Sequence, residues 1–217
     1  HFAMEFLSMQ NRINSNISTK IKINAKDKNV VILGGGDTGS DCIGTSNRHG
    51  AKSVTQLELL PRPPKERDDS MIWPLFANTF KTSSSHEEGC DRAWGVMAKE
   101  FIGNENIEYV KTEDIRWDSD KKAFYPIKNS EKLIPCDLLL IAIGYEKPNL
   151  FFDNEFSIDT FPDGRILANE NNFLTSRKKF FSCGDSRRGQ SLVVWAIKEG
   201  RDCATSVHKF LKKKQLT

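Results

Sequence analysis

The stretch VVILGGGDTG, residues 30–39, decides the fold of this chain. Its first four residues are branched and apolar, which is typical of a buried strand in a parallel sheet. The glycines that follow open a helix predicted over residues 37–48, which Gly50 ends. Because a second strand is predicted over residues 53–60, the order strand, glycine turn, helix, strand indicates an α/β, Rossmann-like fold.

The glycines of this turn have the spacing Gly34-x-Gly36-x-x-Gly39. The first permits the tight turn, the second lets the backbone approach a pyrophosphate, and the third allows close packing of helix on strand. The helix N-terminus adds free N–H groups and the positive end of a dipole. The motif in this context predicts a dinucleotide site, and a turn that serves packing alone is the alternative.

An acidic residue stands where such a site binds the ribose. Glu58 lies 19 residues after Gly39, near the end of the second predicted strand. A carboxylate there accepts a hydrogen bond from the ribose 2′-hydroxyl and repels a 2′-phosphate, which favours NADH. Arg62, Lys65 and Arg67 follow in one loop and could instead bind the 2′-phosphate of NADPH, or they are a solvated basic loop.

The middle of the chain has less regular signals. Residues 61–92 are predicted to be a long irregular excursion, rich in proline and serine. Segments 101–117 and 122–127 are predicted to form an antiparallel hairpin or meander. The strand predicted over 137–143 ends at Gly144, where the backbone either approaches a ligand closely or simply turns.

The segment FFSCGDSRRGQSLVVWAIKEGR, residues 180–201, predicts a second ligand-binding turn. A short strand over 179–183 leads to Gly184 and Asp185, and a helix is predicted from Ser191 to Leu211. The Asp185 carboxylate and the helix N-terminus would then face one ligand, and both suit a flavin with its ribityl chain. The alternative is that Asp185 only caps a helix.

Composition narrows the classes of function. The chain has 217 residues, with 32 Lys plus Arg against 29 Asp plus Glu, and a net charge of +3 is too balanced for a dedicated nucleic-acid binder. No apolar run approaches the ~18 residues of a membrane span. The five cysteines include no CxxC pair, which argues against a zinc site and favours a reducing compartment, the cytoplasm. His86 lacks a second histidine at ligand spacing, so we interpret it as part of a solvated loop and expect no metal site.

Three stretches resemble a known family, the NAD(P)H/FAD reductase portion of glutamate synthase, of the small or β subunit type. They are VVILGGGDTGSDCIGTSNRHGAKSVTQLELLPRPP (30–64), DLLLIAIGYEKP (137–148) and FFSCGDSRRGQSLVVWAIKEGR (180–201). Two shorter pieces, LELLPRPP (57–64) and HEEG (86–89), are more similar to the fused, eukaryotic-type enzyme.

The resemblance implies a glutathione-reductase-like architecture of the three-layer ββα type, in which a pyridine-nucleotide domain is inserted into an FAD-binding domain. Residues 27–148 would be the NAD(P)H-binding domain and residues 149–217 the C-terminal part of the FAD-binding domain. Residues 1–26 would be a connector from the FAD-binding half. Because the chain holds a single GxGxxG motif, the fingerprint for the FAD pyrophosphate and the iron–sulfur segment are expected outside it.

The resemblance also implies which residues bind the cofactors. The NAD(P)H pyrophosphate would be lined by Gly34, Gly35, Gly36, Asp37, Thr38 and Gly39. Gly184 and Asp185 would touch FAD, and the residues near the isoalloxazine ring would be Gln190, Ser191, Leu192 and Val193. No catalytic acid, base or nucleophile is expected, because hydride transfer from nicotinamide to flavin requires alignment of two rings.

The implied activity is transfer of a hydride from NADH or NADPH to FAD, which feeds electrons to glutamate synthesis from glutamine and 2-oxoglutarate. The implied partners are the remainder of the reductase, with its FAD-binding half and iron–sulfur segment, and the large portion of glutamate synthase. Bacterial NADPH-using members carry two arginines where this chain has Leu59 and Leu60, which favours NADH. A non-catalytic NAD(P)-binding module, or a docking module that uses residues 61–92, is the alternative.

Overall fold

A computed structural model describes residues 1–17, 20–72, 77–118, 120–145 and 156–215 of the chain. The chain divides into two units, residues 1–144 and residues 145–217. The elements of the first unit, in chain order, are α1 (Ala3–Asn14), β1 (Asn29–Leu33), α2 (Asp37–Arg48), β2 (Ser53–Glu58), a 3-10 turn (Asp69–Met71), α3 (Ser84–Glu87), β3 (Asp91–Trp94), β4 (Val96–Gly103), β5 (Ile107–Asp118), β6 (Ala123–Pro126), β7 (Lys132–Pro135) and β8 (Leu138–Ile141). The described helices of the second unit are α4 (Asp185–Arg188) and α5 (Val193–Gln215).

A parallel sheet with the strand order β3-β2-β1-β8 forms the centre of the first unit. In β1 the side chains alternate between two faces, as they do in any strand. Ile32 is fully buried on one face against Phe6 of α1 and Ile43 of α2. Val31 is buried on the other face, against Val110 of β5. Both faces of β1 are therefore covered, which explains its uninterrupted apolar sequence.

The second face of the parallel sheet is covered by antiparallel strands. These strands have the order β4-β5-β6, and β7 also pairs with β5. Helices, parallel sheet and antiparallel sheet thus make three layers, which confirms the predicted α/β, three-layer ββα class. The hairpin prediction is confirmed in β5 and β6, but the predicted segment 101–117 is divided between β4 and β5, and β7 was not predicted.

The predicted excursion over residues 61–92 contains regular structure at its end. The segment DRAW (91–94) forms β3, which pairs in parallel with β2 from Thr55 to Glu58. β3 lies at the edge of the sheet, where a strand can keep charged residues on its exposed side. Two of its four residues are charged, so the sequence pattern indicates a strand only weakly. The consequence is that the end of the excursion lies directly beside the end of β2.

The second unit contains isolated bridges and two helices among its described residues. The predicted strand 179–183 is present only as a bridge between Leu174 and Phe181, since Lys179 has a φ of 74° that interrupts an extended run. The long helix was predicted over 191–211 and spans Val193–Gln215. Across the described part of the chain, no helix combines the length and the apolar character needed to cross a bilayer.

Candidate functional site

The first residue of the glycine turn must be glycine for two separate reasons. Gly34 follows β1 and has a φ of 113°, which side-chain-bearing residues rarely adopt. A Cβ at this position would lie 2.3 Å from the carbonyl oxygen of Ala142, beyond the end of β8. The Gly34 N–H donates to the Leu57 carbonyl of β2 at 2.8 Å. The turn is therefore packed between the residue that follows β8 and the end of β2.

The other two glycines of the motif have different surroundings. A Cβ on Gly39 would lie 2.3 Å from the Gly34 carbonyl oxygen, so this glycine allows α2 to pack against the turn. A Cβ on Gly36 would meet nothing within 4 Å, and Gly36 is exposed at the N-cap of α2. Because no side chain caps this helix, its first N–H groups and its dipole are available to an anion.

Glu58, at the end of β2, is bonded directly to the glycine turn. Its Oε2 accepts from the Gly35 N–H at 2.5 Å, and its Oε1 accepts from the Leu60 N–H at 2.9 Å. A Cβ on Gly35 would lie 2.4 Å from Oε2, so a side chain at this position would displace the carboxylate from the turn. Two backbone donors therefore fix the Glu58 carboxylate beside the turn, and lone pairs remain for a hydroxyl donor.

A cleft of about 680 Å³ opens in front of the turn. Gly35, Gly36, Asp37 and Glu58 line one side of it. The opposite side is formed by the end of the excursion, and its residues include Phe80, Ser83, His86, Arg92 and Trp94. This size is within the range of small-molecule and cofactor sites.

Two aromatic rings in edge-to-face contact, Phe80 and Trp94, form one wall of the cleft, and guanidinium groups lie over them. The ring centroids of Phe80 and Trp94 are 5.6 Å apart. The Arg62 guanidinium carbon is 4.4 Å from the Phe80 centroid, and that of Arg92 is 4.8 Å from the Trp94 centroid. Burial lowers the pKa of Arg92, and the charge of Arg62 acts in the same direction. Such planar cations over rings can receive a phosphate or stack on a base.

Sequence reasoning missed the contribution of β3 to this wall. Arg92 and Trp94 are two residues apart in an extended segment and so share a face, which is a signal the sequence carried. The buried Arg92 Nε has no hydrogen-bond partner in the described part of the chain, although its NH1 donates to the Lys81 carbonyl at 3.0 Å.

Several predicted site residues lie elsewhere. Thr38 lines a different groove, which lies between α1 and α2. Asp41 and Arg48 of α2 line the same groove. Arg67 is exposed and is not among the residues that line the cleft. Gly144 has a φ of 97° and open space around its Cβ position, so its glycine is required by backbone conformation and not by a close neighbour.

The second unit places its predicted residues around another turn. Gly184 has a φ of 64° and is the N-cap of α4, so Asp185 is the first helical residue and not the cap. The Asp185 side chain is exposed, and its carboxylate accepts no hydrogen bond within the described residues. A Cβ on Gly184 would lie 3.7 Å from the Ala196 side chain, so the turn lies over the first turns of α5.

The remaining predicted residues precede or begin α5. Gln190 and Ser191 are exposed, Leu192 is half-buried and Val193, the first residue of α5, is 69% exposed. The helix N-terminus thus falls about two residues later than predicted.

A buried carboxylate that was not predicted holds this second turn. Glu199 of α5 is 3% exposed, and its Oε2 accepts from the Gly184 N–H at 2.9 Å. Its Oε1 accepts from Arg187 at 2.5 Å and from Arg188 Nε at 2.7 Å. Burial alone would raise the pKa of Glu199, but the donors from Arg187, Gly184 and Arg188 hold that pKa below its usual value. The sequence did carry a signal for this residue. Glu199 falls on the same helical face as Ala196, Cys203 and Phe210, which are buried or half-buried, and a charged residue is unusual on such a face.

Comparison with known proteins adds a family match and several relatives. Residues 8–200 match the pyridine nucleotide-disulphide oxidoreductase family. The chain is 40% identical over 220 residues to glutamate synthase (NADH) of Schizosaccharomyces pombe, which covers 95% of this chain and 10% of that protein. Glutamate synthase (NADPH) small chain of Mycobacterium tuberculosis is 37% identical over 220 residues, which covers 97% of this chain and 44% of that protein. The chain thus spans less than half the length of these curated relatives.

Among solved structures, the crystal structure of T. acidophilum thioredoxin reductase resembles this chain in fold. The TM-score is 0.55 at 20% sequence identity, and the match covers 85% of this chain and 53% of the other. At this identity the likeness concerns the arrangement of helices and strands.

Proposed function

The chain belongs to the pyridine nucleotide-disulphide oxidoreductase family, and on that premise we propose that it is part of the reductase portion of a glutamate synthase. Its first unit binds NADH or NADPH at the glycine turn, and its second unit supplies part of an FAD site. When both cofactors are bound they supply the hydride chemistry, and the chain contributes binding and alignment.

The open surroundings of Gly36 carry this proposal. Gly34 and Gly39 have no room for a Cβ because protein atoms fill the space, whereas at Gly36 that space is empty and faces the cleft. A pyrophosphate seated there would meet the uncapped N-terminus of α2 without a steric obstacle. The residues present therefore fit a dinucleotide.

The Glu58 carboxylate supports NADH as the preferred nucleotide. It is fixed at the end of β2 by two backbone N–H groups, where it can accept from a ribose diol and would repel a 2′-phosphate. Arg62 and Arg92 stack on the neighbouring wall and would favour the phosphate. We propose NADH because the carboxylate lies on the turn itself, and the titration described below tests this choice.

For FAD, the chain offers the Gly184–Asp185 turn and the N-terminus of α5. The exposed Asp185 carboxylate can accept from a ribityl or ribose hydroxyl. Glu199 holds the turn, because it bonds the Gly184 N–H and both following arginines. The family's other FAD-binding elements would come from the FAD-binding half of the reductase.

The proposed domains are an NAD(P)H-binding domain over 27–148 and a C-terminal part of the FAD-binding domain over 149–217. Division of the chain after Gly144 supports this boundary. Residues 1–26, proposed as a connector, include α1, whose Phe6 packs in the core of the first unit. The proposed partners are the FAD-binding half, the iron–sulfur segment and the large portion of glutamate synthase, in the cytoplasm.

Parallel calorimetric titration of the chain with NADH and NADPH, with and without FAD, tests the proposal. We expect saturable binding of NADH, weaker binding of NADPH, and loss of both in Gly36→Val, because a branched side chain would occupy the pyrophosphate position. A folded chain that binds neither nucleotide would overturn the proposal. Tighter binding of NADPH than of NADH would indicate that Arg62 and Arg92 bind the 2′-phosphate.

A further inference from the structure

His86, which the sequence assigned to a solvated loop, is half-buried in the wall of the cleft. Its segment is fixed to α2 from the outside, because Glu88 pairs with Arg48 and Asn47 Nδ2 donates to the Gly89 carbonyl at 2.8 Å. The imidazole therefore has a defined position, and the solvated-loop interpretation is wrong.

The protonation state of the imidazole follows from its partners. His86 Nδ1 lies 3.1 Å from the Ser83 backbone nitrogen, and a backbone N–H can only donate. Nδ1 is therefore an acceptor, and in the neutral ring the proton is on Nε2. Burial lowers the pKa of His86, and the charge of Arg92 adds to this effect, so the neutral ring is the form that the fold favours.

From His86 a chain of hydrogen bonds leads to the glycine turn. Nε2 lies 3.2 Å from Gln56 Oε1, so the imidazole donates to this amide oxygen. Gln56 is 2% exposed, and its Nε2 donates to the Gly34 carbonyl oxygen at 2.9 Å. With its oxygen held by the imidazole, the amide can present only its NH₂ group to the turn.

We propose that His86 is a positioning residue for the dinucleotide site, where it acts through the Gln56 amide on the Gly34 carbonyl and so sets the conformation of the glycine turn. This inference rests on the proposed function. The same Gly34 carbonyl lies against Gly39, so its orientation also determines how α2 begins. A loosened turn would present fewer aligned N–H groups to a pyrophosphate.

Two substitutions at His86 test the roles of its two ring nitrogens independently. His86→Gln keeps a donor at the position of Nε2, whereas His86→Asn keeps an acceptor at the position of Nδ1 but does not reach Gln56. We expect His86→Asn to raise the Kd of NADH about fivefold, the effect of one hydrogen bond, and His86→Gln to stay within about twofold of the wild type. Glu88→Gln is the control, because it loosens the same segment on the side remote from Gln56.

Hydrogen exchange on the nucleotide-free chain provides a second readout. We expect faster amide exchange over residues 33–40 in His86→Asn, and unchanged exchange there in His86→Gln and Glu88→Gln. Equal behaviour of His86→Asn and His86→Gln in both measurements would overturn the inference, and so would an effect of Glu88→Gln as large as that of His86→Asn. A wild type that binds no nucleotide refutes the proposed function instead, and exchange over 33–40 then still decides whether His86 holds the turn.

Discussion

The Glu58 Oε2 atom lies 2.5 Å from the backbone nitrogen of Gly35. This contact joins Glu58, which is expected to bind the ribose hydroxyl, to the glycine turn, which is expected to bind the pyrophosphate. Because the same carboxylate also accepts from the Leu60 N–H, the end of β2 and the glycine turn form one unit. A change at Glu58 therefore affects both parts of the site.

Replacement of Glu58 by alanine should weaken NADH binding and reduce discrimination against NADPH. The variant loses the acceptor for the ribose diol and the bond to Gly35, so we expect the Kd of NADH to rise about tenfold. NADPH also loses the effect of the Gly35 bond, but the repulsion of its 2′-phosphate is removed, so its Kd should rise less than that of NADH or not at all. Calorimetric Kd values for both nucleotides check this, with Glu66→Ala in the exposed loop as the charge-matched control. Equal losses for NADH and NADPH would contradict the assigned role.

Alanine at Gly36 and at Gly39 should have opposite effects on binding and stability. At Gly36 the backbone φ is −80° and the Cβ position is empty, so the melting temperature should change little while nucleotide binding falls at least tenfold. At Gly39 the new Cβ would meet the Gly34 carbonyl oxygen, so we expect a loss of about 3 kcal/mol in unfolding free energy. Thermal unfolding and calorimetry on both variants test this contrast. Unchanged binding in Gly36→Ala would show that the pyrophosphate does not lie there.

Replacement of Glu199 by glutamine should destabilise the second unit. The side chain is buried against Arg187 and Arg188, and its loss of charge leaves both guanidinium groups without a carboxylate. We expect a loss of about 1–3 kcal/mol in urea unfolding. Asp202→Asn on the same helix removes only an exposed pair with Lys198 and should cost less than about 0.5 kcal/mol. Equal losses of unfolding free energy in Glu199→Gln and Asp202→Asn would contradict the stabilising role of the buried Glu199 ion pairs.

The same network predicts a dependence of stability on pH. Hydrogen bonds hold the folded-state pKa of Glu199 below its usual value of 4.5, so the charged form is the one that the fold stabilises. Its contribution is complete above about pH 5 and is lost as the pH falls through the folded-state pKa. Urea midpoints should therefore fall more steeply with acidification in the wild type than in Glu199→Gln. Parallel curves would refute this linkage.

Nucleotide binding should also weaken on acidification, because of His86. The pKa of His86 is lowered, so the neutral ring, whose Nδ1 accepts from the Ser83 N–H, predominates at neutral pH and is lost as the pH falls through that lowered pKa, below 6.5. Protonated Nδ1 is a donor and cannot accept from the Ser83 N–H, so the ring loses the contact that holds its Nε2–H towards Gln56. The charged groups around the cleft, besides His86 itself, are Lys81, Arg92, Asp37 and Glu58. His86→Gln retains these four groups, so the difference between its Kd profile and that of the wild type isolates the imidazole. Identical profiles from pH 5 to pH 8 would contradict the prediction.

Elements with strong local patterns were predicted well. β1, α2 and β2 follow from an apolar run, a glycine motif and a second branched run, each readable within about a dozen residues. β3 was missed because it is a short edge strand, and β7 because its four residues gain regular pairing only beside β5. Arg62 was predicted near the nucleotide and does not line the cleft itself, but its guanidinium group lies over Phe80, which does. Thr38, on the same helix as Asp37, faces another groove.

The sequence by itself determined the glycine turn and the acid that follows it. A positive φ at Gly34 and the absence of Cβ atoms at Gly35 and Gly39 are local properties of the chain, so residue type and spacing suffice to specify them. Only the tertiary structure decided what faces the turn. Arg92 lines the cleft in front of the turn because β3 pairs with β2, and His86 lines it because it bonds Gln56 of β2. Glu199 reaches Gly184 because α5 packs against that turn. Such contacts join residues far apart in the chain, and packing of whole elements sets them.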